Sequence, residues 1–164
     1  TWALIDSIKA NGGEPVICVV GHSYIKQKMR EVDAIFAGES SGHTYYRDFW
    51  YADCGMIPAM QMLAYLSSHQ EKLSEAIAPV MSKYFISGEI NTEIQDKDGK
   101  MAEIAEHYKD AEISRLDGVA IEYSDWRFCV RPSNTEPLLR LTLEARSNEL
   151  MEQKRDEILS LIRS

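Results

Sequence analysis

The chain has 164 residues, 45% of them hydrophobic, enough for one domain or two small ones with a real core. Its 18 Lys and Arg stand against 26 Asp and Glu, a formal charge of −8, which excludes a nucleic-acid binder that relies on basic surface; no run approaches the roughly 18 apolar residues of a membrane helix. Three widely spaced cysteines, Cys18, Cys54 and Cys129, lead us to expect reduced thiols in a cytoplasmic protein, not a disulfide framework or a zinc site.

Trp2, Leu4, Ile5 and Ile8 set a helical pattern that ends at Gly12 and Gly13. The chain begins with Thr1 and shows no evident cap, so we expect a fragment with an artificial or proteolytic terminus. Pro15 opens an apolar run over residues 16–20 that reads as a buried strand, followed by an amphipathic helix over 24–32 and a second short strand over 34–37. This alternation predicts an α/β layer with parallel strands. Tyr45, Tyr46, Phe49, Trp50 and Tyr51 read as core aromatics. A helix over 53–68 is expected to turn Met56, Met60, Leu63 and Ala64 inward, and another over 73–81 to be distorted or ended by Pro79.

The style changes near residues 84–88, the candidate boundary, and we divide the chain into domains 1–87 and 88–164. The second carries a strand over 89–95, a turn over 96–99, a short helix over 101–108, and two strands over 119–123 and 127–131 joined through Ser124 and Asp125. Leu139, Leu141 and Leu143 then alternate with Arg140, Thr142 and Glu144, and Ser147 caps a final helix through Ile162. The expected fold class is α/β: a partial mixed α/β layer domain, then a small α+β domain with a mainly antiparallel sheet. Residues 89–164 hold 11 basic and 17 acidic side chains, so an anion bound there needs local donors.

Two loops carry chemistry. Gly38-Glu39-Ser40-Ser41-Gly42-His43 offers a carboxylate, two hydroxyls and an imidazole, a set suited to orienting a polyol; it reads equally as a solvated strand-to-helix connection. Arg131-Pro132-Ser133-Asn134-Thr135-Glu136-Pro137 gathers a guanidinium fork, two hydroxyls, an amide and backbone N–H groups around one turn, an anion nest. The alternative is that Arg131 pairs with Glu136 or another acid and the polar residues merely form the turn. His22 stands at the ligand edge of the first strand or acts as a capping or packed histidine. His43 shares its loop with Glu39 and Ser41, where an imidazole can relay a hydroxyl proton; His69 and His107 read as surface.

These residues, together with Gly21-His22-Ser23 through Lys26, Tyr51-Ala52-Asp53, Gly88-Glu89-Ile90-Asn91 and Leu116-Asp117-Gly118-Val119, resemble in order the motifs of the α-D-phosphohexomutases, bacterial phosphomannomutase/phosphoglucomutase type. The resemblance covers nearly the whole chain and places 1–87 in the later part of the third of four domains and 88–164 in the fourth. It implies that the intact enzyme interconverts hexose 6-phosphate and hexose 1-phosphate, of mannose or glucose, through a phosphoserine and a hexose 1,6-bisphosphate, with Mg2+. The phosphoserine and Asp-rich metal loops would lie in the first two domains, so the fragment alone is expected to be inactive and to hold no metal. By the same resemblance Glu39 and Ser41 contact sugar hydroxyls, His43 and His22 assist proton transfer, and Arg131, Ser133, Asn134 and Thr135 bind phosphate.

Ser40 stands where the family often has Met, and Cys54 where a second Asp is common, which leaves the sugar preference open. Asn134 argues against the phosphoglucosamine mutase branch. The expected partners are hexose phosphates and the N-terminal domains of the same chain, with no nucleic acid or membrane. A different class of reading is a stand-alone phosphosugar-binding module without catalysis.

Overall fold

The computed structural model describes residues 1–133 and 135–164; Asn134, assigned above to phosphate binding, lies outside the described residues. The chain forms two compact units: a larger one, Thr1–Pro15 with Val80–Ser164, and a smaller one, Val16–Pro79. The mixture of helices and antiparallel sheets agrees with the expected α/β class.

In the larger unit, β4 (Phe85–Glu93), β5 (Glu112–Ser114), β6 (Val119–Glu122), β7 (Trp126–Pro132) and β8 (Leu138–Ala145) form an antiparallel sheet in the order β4-β8-β7-β6-β5. Period-two alternation sends Trp126, Phe128 and Val130 of β7 and Leu139, Leu141 and Leu143 of β8 to one face. There they pack with Ile104 of α5 (Lys97–His107) and Met151, Ile158 and Ile162 of α6 (Asn148–Arg163). Both helices start on side-chain caps: Asp96 accepts from the Gly99 N–H, and Ser147 from the Leu150 N–H. The Asp96 cap makes the expected 96–99 turn the first turn of α5 instead.

The helix α1 (Trp2–Ala10), first in the chain, belongs to this unit. The Trp2 N–H meets both oxygens of buried Glu144, at 3.0 and 2.9 Å, and its indole N–H donates to Glu122 at 2.9 Å. The guanidinium groups of Arg127 and Arg146 stand over the Trp2 ring at 4.9 and 4.2 Å. Contrary to expectation α1 has a cap, since Thr1 Oγ1 accepts from the Leu4 N–H at 3.4 Å.

The smaller unit holds α2 (His22–Glu31), β1 (Phe36–Gly38), β2 (Thr44–Tyr46), β3 (Ala52–Asp53) and α3 (Met56–His69); α4 (Leu73–Met81) leads out of it and keeps Pro79 within the helix. Its sheet runs β1-β2-β3, antiparallel throughout, so the parallel arrangement expected for this half is not formed. Residues 16–20, read above as a strand, form none. A strand forms only where a neighbour takes up its N–H and C=O groups, and none of the described strands pairs with this run. Val16, Ile17 and Val20 face solvent instead, Ile17 with 68% exposure, while Cys18 is half-buried against the core of this unit.

The inward helix face and, at Trp50, the aromatic core also need correcting. Met56, Met60 and Leu63 are exposed, as is Trp50 at 79%. The buried core here is Ile25 and Met29, one turn apart on α2, against fully buried Tyr45. The three cysteines form no disulfide.

Candidate functional site

The loop at 38–43 is a β-hairpin connection, not the strand-to-helix connection of the sequence reading. Gly38 pairs with Thr44 across β1 and β2, Glu39 N–H donates to His43 O at 2.9 Å, and Gly42 N–H donates to Glu39 O at 3.0 Å. This brings the loop's side chains together at the end of a paired stem. The Ser41 hydroxyl donates to Glu39 Oε2 at 3.3 Å and the Tyr45 hydroxyl to Glu39 Oε1. Burial, then the bond to Glu39, pushes the Tyr45 phenol far above its ordinary range, so it stays a donor.

His43 is oriented by a residue with no assigned role above. Asp53 of β3 pairs with Tyr45, and its Oδ2 lies 2.7 Å from His43 Nδ1 while Oδ1 accepts from the Thr44 N–H at 3.2 Å. Partial burial alone would raise the Asp53 carboxyl, but the bonds from His43 and the Thr44 N–H outweigh it and hold the group below the usual carboxylate range. An ionised carboxylate only accepts, so Nδ1 is the donor of this bond, and in the neutral form of the ring Nε2 holds the lone pair. His22 opens α2 as its first residue, its ring edge-on to His43 at 4.7 Å and to Tyr45 at 5.3 Å. Four residues of the sequence prediction, His22, Glu39, Ser41 and His43, therefore converge; Asp53 and Tyr45 complete the group. The His43-to-Asp53 spacing of ten residues is the only sequence signal for that pair, and it gains meaning from the β2–β3 pairing.

In the larger unit, Arg131 stands one residue before the end of β7. Its Nη2 donates to Glu89 Oε2 at 2.9 Å, while Arg140, directly opposite on β8, donates to Glu89 Oε1 at 3.2 Å. Arg131 is thus paired with an acid, Glu89 rather than Glu136. Ser133 is buried, its N–H donates to Leu138 O at 2.9 Å, and its Oγ accepts from the Thr135 N–H at 3.4 Å. Lys97 Nζ reaches the Ser133 and Glu136 carbonyls at 2.9 and 3.2 Å, clamping the loop from α5. The sequence reading did not single it out; its place directly after the Asp96 cap gave no hint of a contact with residues 133 and 136. Gly118, with φ +79°, lets the turn before β6 lie against β7: a Cβ would stand 2.3 Å from Val130 O and 2.7 Å from Arg131 Cα. His69 and His107, read as surface, are exposed.

Residues 1–84 match the family model described as phosphoglucomutase/phosphomannomutase, alpha/beta/alpha domain III, and residues 89–161 that described as phosphoglucomutase/phosphomannomutase, C-terminal domain. A phosphomannomutase of Escherichia coli is 42% identical over 99% of this chain and 36% of its own length. A protein of Xanthomonas campestris pv. campestris named phosphohexose mutases is 40% identical over 99% and 37%, and a phosphomannomutase of Methanocaldococcus jannaschii is 41% identical over 94% and 34%. The chain thus spans little more than a third of the curated relatives it matches. The crystal structure of a phosphoglucomutase/phosphomannomutase family protein from Burkholderia thailandensis aligns with a TM-score of 0.76 at 29% identity, covering 98% of this chain and 34% of that one.

Proposed function

The chain belongs to the phosphoglucomutase/phosphomannomutase family, matching its third and C-terminal domains, and from that premise we propose that it is the substrate-holding part of a phosphohexomutase. The intact protein interconverts hexose 6-phosphate and hexose 1-phosphate, of mannose, glucose or both, in the cytoplasm, through a phosphoserine and a bisphosphorylated sugar. Domains 1–87 and 88–164 carry the sugar loop and the phosphate loop.

The observation that carries this reading is the hairpin loop. Each Glu39 oxygen holds one hydroxyl, from Tyr45 or Ser41, and each keeps a further acceptor site for a sugar hydroxyl. Ser41 fixes the carboxylate and offers its own oxygen. The His43 Nε2 lone pair, oriented through Asp53, takes a proton from the attacking hydroxyl and returns it to the leaving one. His22 lies beside that ring. In the other unit Arg131 exchanges Glu89 for the phosphate that is not reacting, and Ser133, Asn134 and Thr135 share in binding it.

Mg2+, where the family's chemistry requires it, neutralises charge on the transferring phosphoryl group. The one cluster of potential metal ligands among the described residues, two imidazoles and a carboxylate, does not fit an ion that prefers oxygen donors. Its place is in the remaining two-thirds of the intact protein, and this chain alone should not turn over. The exposed Ile17, Met56, Met60 and Leu63 support that reading over a stand-alone binding module, because they present apolar faces suited to burial against further protein.

Titrating glucose 1-phosphate or mannose 1-phosphate into the 15N-labelled chain should shift amides at 38–43 and 131–135, with binding on the order of millimolar. Arg131→Ala should abolish the second set. No shift in either loop would overturn the reading.

A further inference from the structure

The cluster of His22, His43 and Asp53 has a chemistry that sugar recognition does not use. One ring nitrogen from each histidine and one Asp53 oxygen all lie within 4.8 Å of one another. Three different elements hold them: His22 at the start of α2, pinned by buried Ile25 and Met29; His43 at the end of the hairpin loop; and Asp53 in β3, opposite Tyr45. Both histidines are exposed and Asp53 is half-buried, so an ion can arrive from solvent.

We propose that these three residues form a binding site for a zinc-type transition-metal dication, with water completing its coordination. Two imidazoles and one carboxylate are the donor set of borderline metals, whereas Mg2+ and Ca2+ favour all-oxygen sites. Ligand atoms about 2.0–2.2 Å from a tetrahedral ion stand roughly 3.4 Å apart. The widest separation therefore contracts by up to about 1.4 Å, which a rotation of the exposed His22 side chain supplies. His43 Nδ1 and Asp53 Oδ2, now 2.7 Å apart, part slightly as the ion replaces the proton between them. That proton moves to Nε2 of the same ring, so His43 remains neutral. Binding stands whether or not the chain handles sugar phosphates. Its consequence, that the ion removes the Nε2 lone pair and inhibits the enzyme, rests on the function proposed above.

The test is calorimetric titration of the reduced 164-residue chain with ZnCl2, with CoCl2 as spectroscopic probe. One equivalent of Zn2+ should bind and Mg2+ should not. Co2+ should give visible d–d bands without the near-ultraviolet thiolate-to-cobalt band. His22→Asn and His43→Asn should each weaken Zn2+ binding about tenfold or more, since loss of a mere outer-shell partner already costs that much; Cys54→Ser should change nothing. The absence of Zn2+ binding, a thiolate band, or an unchanged affinity in both histidine variants would each overturn the site. The cobalt spectrum is read on the unmutated chain, so a variant that fails to fold leaves the proposal decidable.

Discussion

An alanine at position 118 is expected to destabilise the larger unit by about 2–4 kcal/mol. At φ +79° an L-residue with a Cβ costs roughly 1–2 kcal/mol. The new methyl would meet Val130 O at 2.3 Å and Arg131 Cα at 2.7 Å, and because both are backbone, no side-chain rotation relieves the overlap. The turn must move away from β7 by on the order of an ångström, at the end of the ladder where Val119 pairs with Val130. Losing one or two backbone hydrogen bonds there adds about 1 kcal/mol each. Gly88 is the control, since it has φ +72° with nothing within 4 Å of a built Cβ, so Gly88→Ala carries the conformational cost alone. Urea unfolding followed by tryptophan emission reads the larger unit, because Trp2 and Trp126 are buried there while Trp50 is already exposed. Equal midpoints for the two variants would refute the close-approach argument.

Glu89→Gln removes the carboxylate that Arg131 and Arg140 share; phosphate binding at the loop should tighten by about two- to fivefold, read by calorimetry, with at most about 1 kcal/mol lost in stability. Trp2→Ala should cost the larger unit about 3–5 kcal/mol in urea unfolding, because it empties a buried ring site and removes the indole donor to Glu122. His43→Asn should raise the Asp53 pKa toward its ordinary value in a carboxyl 13C titration, since the His43 bond is the largest of its lowering influences. The folded-state pKa of Asp53 is depressed, so its contribution to stability is present above the carboxylate range and is lost as pH falls through the folded value. A variant whose unfolding midpoint follows the unmutated pH profile would contradict that linkage.

The antiparallel half was the more legible because its signals are local and self-sufficient: the alternation in β7 and β8 and the Ser147 cap each find their partners within the same unit. In the smaller unit the same kind of signal misleads. Residues 16–20 have the composition of a buried strand, and α3 the spacing of an inward helix, but pairing and burial depend on neighbours that this chain does not provide among the described residues. The candidate site divides similarly. Glu39, Ser41 and His43 fall within five residues and were visible as a loop, whereas Asp53, Tyr45, Lys97 and Glu89 join their sites only through strand pairing or helix packing.

The docking of α1 has a consequence for the order of events during synthesis. Trp2 meets its carboxylate partner 142 residues further along the chain, and Arg127 and Arg146, which stand over its ring, are also remote in sequence. While the chain leaves the ribosome, residues 16–79 are synthesised well before β8 exists, and α1 waits for its Glu144 partner. Closing so long a loop is entropically costly and slow. Until Glu144 emerges, the indole on this short helix lacks the partners it has in the folded chain, and unburied apolar surface of that kind is what holding chaperones bind.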